Sequence, residues 1–388
     1  MRSPSARRRG IAALGLAAAV LVAPLAAGAT AAEPAPQERG TAPTAGAVFR
    51  IEDRAARTVA ASLADRGWRA TVREAALTTD AVNLSALADR SGDHRAARRL
   101  EPALDRAEAA LTEAKGLDGG HGPLLRLRLA DDAMRDALAA GTAPLVTTPP
   151  SDDDASSVTA YDSRGRAVEL DLRTPPERPV YVLDTDASRA LAAGLDVLRE
   201  ELAAHGLSGA VRTGSAQGRE AQAAQAGFWS TRITSVRLSD DKEPWVKGDS
   251  EIYSLVTGFG HDGKVRVDPV DMPYLDEDGR TYYPDQILVN WSYYKYNLAD
   301  AVMMEEDGGT NYRELAKALT TALLTITDQG MYIPLVNALL DAMPDDWWTD
   351  DPDYVDSWYT LARQDSGSLT GAAGNGRMTV EPYFVDQF

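Results

Sequence analysis

Cysteine is absent from all 388 residues, so neither a disulfide nor a thiolate metal site is available to this chain. Histidine is scarce. Only His94, His121, His205 and His261 occur, none paired at helical spacing, which removes the usual arrangement for zinc catalysis. Beyond residue 27 no run of transmembrane length is free of charge, so nothing in the later chain is expected to span a bilayer. Basic residues are outnumbered, 40 Lys and Arg against 58 Asp and Glu, for a formal charge of −18. Nucleic acid, whose phosphates need basic surface to release counterions, is therefore an unsuitable partner. The sequence contains no Gly-x-Ser-x-Gly elbow and no glycine-rich phosphate loop ahead of a helix, and Ser239-x-x-Lys242 stands without its companion motifs. Without cross-links, stability must come from the size of the core or from bound metal.

What is present begins with Arg2, Arg7, Arg8 and Arg9, an apolar run from Ile11 to Ala27, and the small-x-small triplet Ala29-Thr30-Ala31. This is the pattern of a secretory signal peptide over residues 1–32, and it makes the protein a secreted, extracellular one. Loss of its four arginines leaves the remainder at −22, a balance that favours solubility and cation binding. Residues 33–47, rich in Pro, Ala, Thr and Gly, read as a disordered leader. The rest suits two domains, at roughly 100 to 200 residues each.

Residues 48–205 read as a helical and mixed α/β domain. Ile51, Ala55, Val59, Ser62 and Leu63 lie at helical spacing before Gly67, and Leu100, Leu104, Ala107 and Leu111 mark a helix over 96–115. Residues 68–77 suit a short strand or another helix, and 123–140 a helix. Strands are expected at 145–147 and 179–183, with a hairpin of 158–161 and 167–170 and a helix over 188–204. The small, polar stretch 206–226 reads as a linker.

From residue 227 to 388 β-forming runs dominate: 252–259, 264–267, 287–294, 299–304, 354–362 and 378–384, with a helical insertion at 310–343. The class is therefore α+β, the C-terminal part an antiparallel β-sandwich. Its acids cluster where strands begin and end. Asp240 and Asp241 follow one strand, Asp249 and Glu251 precede the next, and Glu305, Glu306 and Asp307 close a third. Hard oxygen ligands gathered from loops suit Ca²⁺; the plainer alternative is acids that keep loops in water.

This stretch resembles a C2 domain, the calcium-binding β-sandwich, in two segments: Glu243-Pro244-Trp245-Val246-Lys247 is similar to that family's Asp-Pro-Tyr-Val, and Met303 to Asp307 to its strand ending in acids one residue apart. The resemblance implies a C2-like sandwich with Asp241, Glu243, Glu305 and Asp307 as metal ligands, Glu standing at two positions where that family has Asp. With Asp240 and Asp249 added from the loop pattern, the candidate calcium set is Asp240, Asp241, Glu243, Asp249, Glu305 and Asp307.

Trp347 and Trp348, among Asp345, Asp346, Asp350 and Asp351, offer aromatic faces to sugar rings, or else bury their rings against the core. Val180 to Asp186 resembles the strand and Asp-x-Asp of haloacid-dehalogenase-type phosphatases. That family needs a further acid where Tyr253 stands and a fuller domain than residues 187–247 provide, so Asp184 reads as a loop or helix-capping acid. Finally, PVYVLDTD, EIYSLVTGF and YYPDQILVNWSYY are similar to segments of a family of secreted bacterial proteins of unknown function. The expectation is a non-enzymatic, calcium-binding extracellular protein that engages a glycan or an anionic surface. The alternative is a hydrolase acting on polysaccharide through two carboxylates, whose identity among 58 acids the sequence does not give.

Overall fold

In a computed structural model, residues 44–152, 155–208, 227–239, 245–247, 251–275, 277, 279–306, 308–343 and 354–386 are described. The chain opens with α1 (Thr44–Ser62), α2 (Arg66–Thr78), β1 (Ala81–Val82), α3 (Leu84–Arg90) and α4 (Arg95–Ala114). It continues through β2 (Leu125–Leu129), α5 (Arg135–Ala139), β3 (Leu145–Thr147), β4 (Ser157–Tyr161), β5 (Ala167–Asp171), β6 (Val180–Thr185) and α6 (Ala187–Ala204). The later part comprises β7 (Phe228–Leu238), β8 (Glu251–Phe259), β9 (Val265–Asp271), β10 (Gln286–Asn290) and β11 (Leu298–Glu306). Then follow α7 (Tyr312–Leu323), α8 (Val336–Leu340), β12 (Tyr354–Ala362), β13 (Gly367–Thr370) and β14 (Gly376–Val385). The class is α+β. Among the described residues no helix is long and apolar enough to cross a membrane.

Two expectations shift. Helix α1 begins at Thr44, inside the stretch read as a leader. Residues 123–140 start as a strand, not a helix, because Leu125, Leu127 and Leu129 alternate with Arg126 and Arg128; a period of two sends leucines and arginines to opposite faces of a sheet. The ambiguous stretch 68–77 is helical, with Asp65 capping α2 by accepting from the Trp68 N–H at 3.0 Å.

Sheet A runs β1-β2-β6-β3-β4-β5, with β3 and β6 its one parallel pair. Leu125, Leu127, Tyr181 and Leu183 of this sheet join a core built with α1 to α4 and α6. The opposite face, through Val158, Leu170, Val180 and Val182, meets Val246.

Sheets B (β10-β7-β14-β13) and C (β12-β11-β8-β9) are antiparallel. They enclose a second core from Ile233, Val236, Met378 and Val380 on one side and Ile252, Val256, Ala301 and Met303 on the other. Among the described residues, the C-terminal part is thus a sandwich of eight strands. Every residue of β8 is buried, because odd residues such as Tyr253 and Leu255 face the first core while even residues face the sandwich core. A strand covered on both faces reads as a continuous apolar run, which explains the EIYSLVTGF segment. The first core therefore includes residues from either side of 206–226; of that expected linker, 209–226 lies outside the described residues.

Two helix contacts fix sheet C against the helices. At Gly194 of α6 an added Cβ would sit 2.3 Å from the Tyr312 ring of α7, so only glycine lets these helices approach so closely. Helix α4 ends in Lys115 and the left-handed Gly116 (φ +61°). Its final carbonyls meet the start of α7: the Tyr312 N–H donates to the Lys115 carbonyl at 3.0 Å, and Asn311 Nδ2 to the Ala114 carbonyl at 2.8 Å. Asn311 also caps α7, its Oδ1 accepting from the Glu314 N–H at 3.0 Å. The unsatisfied acceptors of one helix end and the donors of another thereby answer each other.

Candidate functional site

The charged side chains of greatest interest lie where sheet C meets β6 and the helices. Strands β8 and β11 pair with Glu251 opposite Glu306. Residues directly opposite in an antiparallel pair project to the same face. Parity assigns the face: Glu306 follows Val302 and Met304, which lie in the helix-side core, whereas Glu305 follows Ala301 and Met303 into the sandwich. Both members of the Glu251–Glu306 pair are buried.

Two carboxylates taken out of water require compensation. Glu306 receives it from Lys115, equally buried, whose Nζ lies 2.5 Å from Oε1. The Tyr312 hydroxyl donates to Oε2 and the Gly308 N–H to Oε1, while Lys115 Nζ also donates to the Gly308 carbonyl at 3.0 Å. Glu251 has a lighter arrangement. Ser188 Oγ of α6 donates to its Oε1 at 2.8 Å. Burial, with Glu306 and Asp184 adding negative charge, lifts the Glu251 carboxyl to about 7 against the pull of Ser188 and Arg126. It holds or releases a proton near neutrality.

The network extends into sheet A. Asp184 accepts from Arg126 Nε at 2.9 Å and Arg128 Nε at 2.8 Å, and Arg128 also donates to the carbonyls of Val246 (2.7 Å) and Lys247. Asp184 is thus an ion-pair partner, and the helix cap is Asp186, which accepts from the Arg189 N–H at 3.1 Å. On the other face of β6, Glu52 accepts from the Thr185 N–H, the Thr185 hydroxyl and the Thr148 hydroxyl at 2.8, 2.7 and 2.9 Å. Burial also lifts Glu52 to about 7, with Asp184 adding to the rise.

One wall of this network opens on a groove of about 660 Å³ lined by Ser188, Asp186, Arg189, Asp196, Glu200 and His121, together with Ala192, Ala193 and Val197. Ser188 is exposed, so it stands between solvent in the groove and the Glu251 carboxyl. Arg189 pairs with Asp186 at 3.3 Å and donates to the His121 carbonyl at 3.3 Å.

Of the calcium candidates, Glu305 is half-buried at the end of β11. Asp240, Asp241, Glu243, Asp249 and Asp307 lie outside the described residues, as do Trp347 and Trp348. Among the described residues no group of three or more His, Asp or Glu gathers as a metal site. Trp358 is buried in the sandwich core. Glu251 and Glu306 were visible as strand-end acids, but Lys115, Glu52 and Ser188 were not. Lys115 carries a sequence signal only in hindsight, as the last residue before the glycine that stops α4.

The fold and this network define an α+β protein in which a buried ion pair joins a β-sandwich to an α/β layer beside a polar groove. The sequence profile of DUF3103, a family described as proteins of unknown function, matches residues 56–387. The chain belongs to that family. No curated protein and no solved structure matches it.

Proposed function

We propose that this protein is exported and holds a hydroxyl-rich extracellular ligand, a glycan, in the groove beside α6. Export is supported by the charge and apolar pattern of residues 1–32. The observation that carries the ligand assignment is the groove itself: its volume of about 660 Å³ suits a small ligand, for which clefts of about 300 to 1,000 Å³ are usual. Its lining combines carboxylate acceptors (Asp186, Asp196, Glu200) and a guanidinium donor (Arg189) with the small apolar residues Ala192, Ala193 and Val197. Sugar hydroxyls both donate and accept, so they match such a mixed wall better than a simple cation or anion does. Calcium at Asp240, Asp241, Glu243, Asp249, Glu305 and Asp307 belongs to the same proposal. It is supported by the pairing of Glu251 with Glu306, which makes neighbours of the strand ends leading into Asp249 and Asp307.

The test is titration with oligosaccharides of neutral and acidic type, with calcium and with chelator. Wild type should bind at least one class, and Asp196→Ala with Glu200→Ala should weaken that binding by tenfold or more. Calcium should raise the melting midpoint, as a ligand selective for the native state does, and Glu305→Ala with Asp307→Ala should abolish the rise. Saccharide binding unaffected by the groove pair would remove the groove as the seat; no calcium-dependent rise in wild type would remove the metal.

A further inference from the structure

We infer that the cleft between α2 and the loop leading into β3 is a second binding site, one that takes a tetrahedral oxyanion, a phosphate or a phosphoryl group. It measures about 140 Å³ and shares no lining residue with the groove beside α6. Arg66, Arg69 and Arg73 line it from α2, Gly141, Thr142 and Pro144 line it from the loop, and no acidic residue does.

The three arginines stand at i, i+3 and i+7, which puts them on one face of α2. The neighbouring face, with Trp68, Val72 and Ala76, is buried in the core. Like charges at helical spacing repel and weaken a helix, so such a row is normally answered by carboxylates. Here it is not. Among the described residues Arg66 and Arg73 have no hydrogen-bond or ion-pair partner, and Arg69 has only the Leu63 carbonyl, which accepts from Nη1 at 2.6 Å. Asp65, the nearest acid in sequence, is engaged in capping α2 through the Trp68 N–H. The chain holds 58 Asp and Glu against 40 Lys and Arg, so three unanswered arginines in one cleft run against its composition.

Arg69 and Arg73 are half-buried and Arg66 is exposed. Partial removal from water makes their attraction for an anion stronger than it would be on an open surface. Gly141 permits the close approach: its φ is +90°, and a Cβ there would lie 3.2 Å from Arg73 Nη1. Thr142 adds a hydroxyl that can donate. Volume limits the guest. At about 30 Å³ for each water, the cleft has room for about four or five waters, the space of one tetrahedral oxyanion. Guanidinium forks match the oxygens of such an ion in pairs, and three of them more than neutralise a dianion. A carboxylate offers one edge and one charge, and would leave two of the arginines unanswered.

The experiment is isothermal titration calorimetry of the full chain with inorganic phosphate and with glycerol phosphate, in chloride at fixed ionic strength. Wild type should bind phosphate saturably, one ion per chain. Arg73→Gln should weaken that binding at least about tenfold, and Arg73→Lys, which keeps the charge and loses the fork, by a smaller factor. Arg54→Gln removes an equal charge from an exposed position of α1 outside the cleft and should leave the affinity within about twofold of wild type. Should the Arg73 variants fail to fold, Arg66→Gln decides, because it takes away only an exposed side chain; a loss of about threefold or more is expected. Glycerol phosphate binding as tightly as phosphate would support the site as one for a phosphoryl head on a larger ligand, and binding of phosphate alone would support it as one for the free ion. Absence of saturable binding by both would overturn the assignment. So would wild-type affinity in Arg66→Gln and Arg73→Gln, or an equal loss in Arg54→Gln. Neither probe carries a sugar and no variant touches the groove beside α6, so this site and the glycan reading stand or fall separately.

Discussion

Sheet C satisfies its buried acids in two ways, by backbone N–H groups, as for Asp356 and for Asp300 on the helix face, and by groups delivered from distant parts of the chain. On the sandwich face Asp356, opposite Met303, is satisfied locally: its carboxylate accepts from the N–H groups of Ser357, Ala373 and Gly376 at 2.8, 2.8 and 2.6 Å. On the helix face Glu306 relies on Lys115, an ionised partner from another part of the chain, and Glu251 on Ser188 with a proton held up to neutrality. The difference is between an acid held by backbone N–H groups of its own strand and of the β13–β14 turn and acids that must meet groups delivered from distant elements. The first kind supports a loop; the second makes one interface conditional on charge.

Removing one member of the long-range pair should give the largest effect. Lys115→Met strands a buried carboxylate, and the loss expected in urea denaturation is about 3 to 5 kcal/mol. Adding Glu306→Leu should recover much of it, since an apolar pair of similar size often substitutes well. A single variant within 1 kcal/mol of wild type would show that the pair is not a true burial of charge.

Next in size is the pH response. Glu251 and Glu52 have native values near 7 against an ordinary 4.5, so the native state binds more protons than the unfolded chain between those limits. Their contribution is complete below about 4.5 and is lost as pH rises through about 7. At about 1.4 kcal/mol for each unit, the change is on the order of 3 kcal/mol for each group. Melting midpoints of wild type should fall from pH 5 to pH 8, and Glu251→Gln should flatten that fall. An unchanged slope in the variant would place the titration elsewhere.

The smallest effect should come from the local acid. Asp356→Asn keeps one acceptor oxygen and the hairpin around it, and should cost about 1 to 3 kcal/mol, equally at pH 6 and pH 8. A pH-dependent penalty at Asp356 would erase the contrast between the two kinds of buried acid.

Periodicity made most of the architecture legible. Leu100 to Leu111 announced α4, and the apolar alternation beyond Phe228 announced the sandwich. The arginines of β2 hid a strand because residues 123–140 also suit a helix when partners are unknown. The site was half legible for a related reason. Acids at 251 and 306 stood out, yet composition alone does not tell which of Glu305, Glu306 and Asp307 turns toward the helices. That follows from parity along β11 and from the register with β8, both products of pairing between distant strands. Ser188 was an ordinary first-turn serine until α6 packed against β8.

The Lys115–Glu306 pair also has a temporal side. The partners are 191 positions apart, and Glu306 follows most of the sandwich in the order of synthesis. While only the first half of the chain exists, Lys115 has no carboxylate to enter the core with and stays in water at the end of α4. Closure of the helical layer must then wait for β11, an obligation to non-local contact that slows folding. An incomplete chain is thereby marked by an open seam, and completion of the sandwich is what seals it.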